Sequence, residues 1–71
     1  MTEGDALKNR IEEIRSERGM RQEELAKALS VSRQTISSLE NGRYNPSIGL
    51  AYKVARLFGM AIEDVFIFEE E

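Results

Sequence analysis

Apolar residues recur along this chain at helical spacing, in short stretches separated by turn residues. Leu7, Ile11 and Ile14 stand at i, i+4 and i+7, which is one face of a helix. Asn9 followed by Glu12 resembles a capping box with Asn in place of Ser or Thr, so helix one is expected from about Arg10 to Arg18. Gly19 suits the left-handed position after a helix end. Arg15 and Arg18 lie in the last turn, where positive charge complements the helix dipole. A second helix is expected from Gln22 to Leu29 with Leu25, Ala26 and Leu29 inward. At about two turns it is too short to stand alone. Ser32 is a good N-cap for a third helix, about Arg33 to Asn41, whose inward residues are Ile36 and Leu39.

The loop Asn45-Pro46-Ser47 introduces a fourth helix, Ile48 to Phe58, read as a stripe of Ile48, Ala51, Tyr52, Ala55 and Phe58. Gly59 ends it, and a short fifth helix covers Ile62 to Val65. The segment Phe66-Ile67-Phe68-Glu69 is aromatic and β-branched and reads as a strand. Ala6-Leu7-Lys8 is its candidate partner. The expected fold is mainly α: five helices in a single domain over residues 1–71, with a short β-ribbon from the chain ends.

Composition narrows the chemistry. A chain of 71 residues has room for one small core. No apolar run approaches the roughly 20 residues that span a bilayer, and the N-terminus lacks a signal-peptide stretch. A soluble, cytoplasmic protein with no membrane partner is therefore expected. There is no cysteine and no histidine. That argues against disulfides, against a zinc site and against Ser-His catalysis. No metal, cofactor or small-molecule ligand is expected. Adjacent carboxylates such as Glu23 and Glu24 read as a solvated helix face, so an enzyme is not expected.

The net charge of −3 would count against nucleic acid, but its distribution matters more. Up to Phe58 there are ten basic and eight acidic residues. From Gly59 onward there are five acidic residues and no basic one. The acid is gathered at the C-terminal end, which leaves the rest of the chain free to present a basic face.

The most informative stretch is Gln22 to Glu40, QEELAKALSVSRQTISSLE. Two short helices joined by a three- to four-residue break form a helix-turn-helix when they cross steeply. The crossing needs a small residue in the first helix, and Ala26 supplies it. It needs apolar locks, and Leu25, Leu29, Val31, Ile36 and Leu39 supply them. The outer face of the second helix must be polar and able to reach base edges, as Arg33, Gln34, Ser37 and Ser38 are.

The segment RQEELAKALSVSRQTISSLENGRYNPSIGLAYKVARLFGMAIEDVF resembles the small phage-repressor-like regulators, the Cro/C1-type helix-turn-helix family. The resemblance runs from about Leu7 to Phe66. SRQTISSLENGRYNPS and the later IEDVF carry most of it. It implies a lambda-repressor-like DNA-binding bundle that acts as a transcriptional regulator, most often a repressor, on double-stranded DNA. By position, Arg33, Gln34 and Ser38 are then base-reading candidates, with Ser37 beside them. Arg can bind a guanine edge and Gln an adenine edge through two hydrogen bonds each. Gln22 would hold a phosphate, with Arg21, Thr35, Asn41, Arg43 and Tyr44 as further phosphate candidates. Asn41 also reads as a plain helix C-cap. Arg15 and Glu40 would form a structural ion pair between helices one and three. One departure is Ser30, where the family often has Gly; a left-handed backbone there costs Ser about 1 kcal/mol.

One recognition helix reads few base pairs, so two-fold symmetry and a near-palindromic operator are expected. The homodimer surface is placed on the C-terminal segment, at Phe66, Ile67 and Phe68, with Ile62 and Val65 of helix five as the neighbouring choice. A different possibility for Phe66 and Phe68 is that they close the chain's own core. The competing function is a protein-interaction module, an antitoxin or adaptor that kept the fold.

Overall fold

The computed structural model describes residues 8–67. Leu7, the Ala6-Leu7 part of the expected strand and Phe68 of the expected dimer segment lie outside the described residues. In chain order the elements are β1 (Lys8–Asn9), α1 (Ile11–Glu17), α2 (Gln22–Leu29), α3 (Arg33–Glu40), α4 (Ile48–Phe58), α5 (Ile62–Val65) and β2 (Phe66–Ile67). The mainly helical expectation, five helices with a small ribbon, holds.

The helix starts follow from local hydrogen bonding. Ser32 caps α3 by accepting from the Thr35 backbone N–H at 3.0 Å, and Ser47 caps α4 by accepting from that of Leu50 at 3.1 Å. Both relieve one of the orphan donors of a first helical turn. At α2 no side chain caps in that way. There the Glu24 carboxylate reaches back to the Arg21 backbone N–H at 2.7 Å. Asn9 acts one residue earlier than expected: Arg10 is the N-cap of α1, and the Asn9 Oδ1 accepts from the Ile11 N–H at 3.1 Å. The Asn9 Nδ2 donates to the Leu39 carbonyl at 2.9 Å, so one side chain joins the start of α1 to the end of α3.

Four described residues take a left-handed backbone: Gly19, as expected after helix one, Gly42, Gly59 and Ser30. Gly59 ends α4 at φ +69, as its lack of Cβ allows. Ser30 ends α2 at φ 62 and ψ 40, the one described non-glycine residue at positive φ. The strained turn anticipated for Ser30 is thus the turn that forms.

β1 and β2 pair antiparallel, with Lys8 opposite Ile67 and Asn9 opposite Phe66. The Arg10 N–H continues the pairing to the Val65 carbonyl at 2.8 Å. The ends of the fold therefore hold each other, with the register placed on Lys8 and Asn9.

The core gathers Ile11 and Ile14 of α1, Leu25, Ala26 and Leu29 of α2, and Ile36 and Leu39 of α3. From the C-terminal half come Ala51, Val54, Ala55 and Phe58 of α4, then Val65 and Phe66. Two expectations need correction here. Ile48 and Tyr52 are not part of the inward stripe of α4: they are 84% and 53% exposed, and Val54 takes the inward place. Helix α4 carries apolar residues almost all round, so periodicity alone does not select its buried face. The second correction concerns the dimer segment. Phe66 and Val65 are fully buried in the chain's own core, which leaves them no surface for a second copy. Phe66 is the largest such side chain and closes the end of the core that α5 and β2 cover. No helix among the described residues is long and apolar enough to cross a membrane.

Candidate nucleic-acid interface

Among the described elements, α2 and α3 share the most extensive contact. Ala26 is 3% exposed at this contact, and Leu25, Leu29, Ile36 and Leu39 are buried around it. The same burial fixes which side of α3 looks outward. Arg33 and Gln34 are exposed, while Ser37 and Ser38 are half-buried behind them. All four belong to one eight-residue helix whose inward positions are Ile36 and Leu39. Thr35 is half-buried, and its hydroxyl shares a hydrogen bond of 2.8 Å with the Ser32 hydroxyl. Its first duty is at the start of α3.

The exit from α3 is tightly turned. The Asn41 N–H donates to the Ser37 carbonyl and the Arg43 N–H to that of Ser38, both at 3.0 Å. Asn41 is the C-cap residue, in agreement with the plainer reading of it. Asn41, Arg43 and Tyr44 are all exposed on this loop.

Behind α3 lies a polar network that ties three helices together. The Arg15 Nε donates to Glu40 Oε2 at 2.7 Å, and Arg15 Nη2 to Glu40 Oε1 at 3.3 Å. A further bond runs from Arg15 Nη1 to the Met20 carbonyl at 2.7 Å. The side chains are 12% and 3% exposed, so this is a largely buried pair. The hydrogen bond to Glu40 raises the Arg15 pKa above its ordinary value, with the carboxylate charge adding to it against the opposing effect of burial. The expected structural pair is present. Sequence reasoning did not see a third member: the Gln22 Nε2 donates to Glu40 Oε1 at 2.9 Å. A carboxylate only accepts, so the amide nitrogen must face it, which leaves one N–H and the amide oxygen of Gln22 for another partner.

Arg21, Gln22 and Arg33 meet at one shallow cleft of about 290 Å³, with Arg15, Met20 and Glu23. The start of α2 and the start of α3 therefore present their cations side by side. The N-terminus of α2 adds backbone donors and the positive end of its dipole. Arg43 and Tyr44 lie on the loop at the other end of α3. Arg18 is not at this face. It donates to the Phe58 carbonyl at 2.9 Å and lies 5.1 Å from the Phe58 ring centroid, which closes the C-terminus of α4. Among the described residues no cluster of acidic or thiol side chains is arranged to hold a metal ion.

The family model described as helix-turn-helix matches residues 11–65, the span of all five helices. The chain belongs to the helix-turn-helix family of Cro/C1-type transcriptional regulators. An HTH-type transcriptional regulator of Archaeoglobus fulgidus is 57% identical over 65 residues, which cover 92% of this chain and 93% of the relative. The ImmF control region 10 kDa protein of Bacillus phage phi105 is 40% identical over 60 residues, covering 84% of this chain and 67% of that protein. Among solved structures, the restriction-modification controller protein C.AhdI of Aeromonas hydrophila superposes with a TM-score of 0.71 at 27% identity. That match covers 78% of this chain and 83% of the controller protein. This helix-turn-helix regulator thus carries the family's DNA-binding fold, with a packed α2–α3 pair and an exposed polar face on α3.

Proposed function

We propose that the chain is a sequence-specific repressor that binds a near-palindromic operator in double-stranded DNA as a homodimer. The observation that carries this reading is the outer face of α3, where Arg33 and Gln34 are exposed on a helix packed against α2. Exposed Arg and Gln at a helix start suit guanine and adenine edges in the major groove. Ser38 and Ser37 follow them on the same helix. Phosphates are assigned to Arg21, Gln22, Thr35, Asn41, Arg43 and Tyr44. Thr35 lies in the first turn of the reading helix and the others flank it at both ends, so the backbone contacts would set its register. Repression as the sign of regulation rests on the resemblance to phage-repressor-like regulators.

Dimerisation is supported by the small reach of a single α3 helix. Of the residues first assigned to the interface, Ile67 is 38% exposed at the ribbon edge and Ile62 is partly buried beside the core. A two-fold contact built on Ile67, Ile62 and the open ribbon edge fits the described surface. The site of action would be the cytoplasm, with no small-molecule effector.

Selection of bound sequences from a random duplex pool tests this function, with sedimentation of the protein alone and with the selected DNA. A consensus with two-fold symmetry bound by two chains is the expected result. Binding without sequence preference, or by one chain to an asymmetric site, would overturn it.

A further inference from the structure

Helix α4 has a second, outward face that the core does not use. Ile48, Tyr52 and Arg56 stand at i, i+4 and i+8 along it, with Ile48 84% and Tyr52 53% exposed. Leu57 adds a further exposed apolar side chain. This face borders an open groove of about 510 Å³, lined by Ala28, Leu29 and Ser30 of the α2 end and by Tyr52, Lys53, Arg56 and Leu57. None of the residues assigned to DNA lines it. Ala28 and Leu29 sit at the C-terminal end of α2, and Gln22, which faces the phosphate cleft, is its first residue.

The charges of the groove are of one sign. Lys53 and Arg56 are the charged residues of α4, and no carboxylate lines the groove. Elsewhere Arg10 is paired with Glu13 and Arg15 with Glu40. Arg56 instead leans on Tyr52. It donates to the Tyr52 hydroxyl at 3.2 Å and lies 5.7 Å from the ring centroid. That contact holds the guanidinium beside an aromatic wall and spends one of its five donors. On a chain of net charge −3, this is a local basic and apolar surface with room between two helices.

We propose that the groove between the end of α2 and the outer face of α4 is a docking site for an acidic peptide segment of another protein, one bearing a large apolar side chain. Charge complementarity selects the carboxylates, which pair with Lys53 and Arg56. The apolar side chain lies against Tyr52, Leu57 and the Ala28–Leu29 end of α2. A two-fold contact of the groove with itself would bring two basic surfaces together with no carboxylate between them, so a second copy does not suit it.

The test uses the full chain and a fluorescein-labelled peptide of sequence Glu-Glu-Leu-Phe-Glu-Glu, read by anisotropy and by amide chemical shifts. Saturable binding that shifts Ala28–Ser30 and Lys53–Leu57 is expected. Tyr52→Ala and the pair Lys53→Gln with Arg56→Gln should each weaken it at least about tenfold, the loss of an anchor. Both variants should keep operator affinity and its salt dependence. A Lys-Lys-Leu-Phe-Lys-Lys peptide should not bind. Four results would overturn the proposal: no saturable binding, shifts centred on Arg33 and Gln34, loss of operator affinity in the Lys53 and Arg56 variant, or a changed oligomeric state in Tyr52→Ala. The third would make the face a DNA surface, and the fourth a contact between copies.

Discussion

Replacing Glu40 by Ala removes the acceptor that α1, α2 and α3 share. Three hydrogen bonds end on this carboxylate, two from Arg15 at 2.7 and 3.3 Å and one from Gln22 at 2.9 Å. Their separate worth cannot simply be added, since water would take up part of the loss. Breaking a buried ion pair by removing one partner costs about 3–5 kcal/mol. Arg15 keeps its bond to the Met20 carbonyl and is 12% exposed, so some hydration remains open to it. The low end, about 3 kcal/mol, is the expected cost. A domain of this length has a total stability of about 4–11 kcal/mol, so the variant loses a large share of it. Urea unfolding followed by circular dichroism reads this directly. With a slope of about 1 kcal/mol/M, the midpoint should fall by about 3 M.

The companion variant separates stability from register. Arg15→Met with Glu40→Leu replaces the pair by apolar groups, which should cost no more than about 1 kcal/mol. That variant should still bind DNA less tightly, because nothing would hold the Gln22 amide. If Glu40→Ala costs less than about 1 kcal/mol, the pair behaves as a surface ion pair and the reasoning fails.

Arg33→Ala or Gln34→Ala should cost about 1–3 kcal/mol on the selected operator and far less on random duplex, measured by fluorescence titration. Arg43→Ala should weaken both DNAs alike and lower the slope of log affinity against log salt by about 1. Ser30→Gly relieves about 1 kcal/mol of left-handed strain against about 0.5 kcal/mol of added chain freedom, so calorimetry should show Tm rising by about 3 °C. Phe66→Ala should destabilise the fold by about 3–5 kcal/mol, whereas Ile67→Glu should leave the single chain within about 0.5 kcal/mol and reduce dimerisation in sedimentation.

The legible parts of the sequence were those where a local rule acts alone. Ser32 and Ser47 mark helix starts because a hydroxyl at that position has a backbone donor within reach whatever the distant packing. The α2–α3 pair was legible because Ala26, Ile36 and Leu39 have few other ways to be buried together. Helix α4 was not, since Ile48 and Tyr52 obey helical spacing as well as Val54 does. Which face turns inward there depends on where α1, α2 and α5 stand. The Gln22–Glu40 bond was hidden for a similar reason: it joins residues 18 apart that meet only once the three helices are packed.

The C-terminal segment shows how burial divides the labour of so small a chain. Val65 and Phe66 are consecutive, and both are fully enclosed. A plain helix or strand places adjacent side chains on different faces. The change from α5 to β2 at this point lets both turn inward. The cost is that Ile67, next in the strand, must face away from the core, and it is 38% exposed. Its backbone pairs with Lys8 on one side, which leaves the other edge of β2 without a strand among the described residues. The switch that completes the core of one chain thus presents Ile67 beside an open ribbon edge. A two-fold contact there would cover both together.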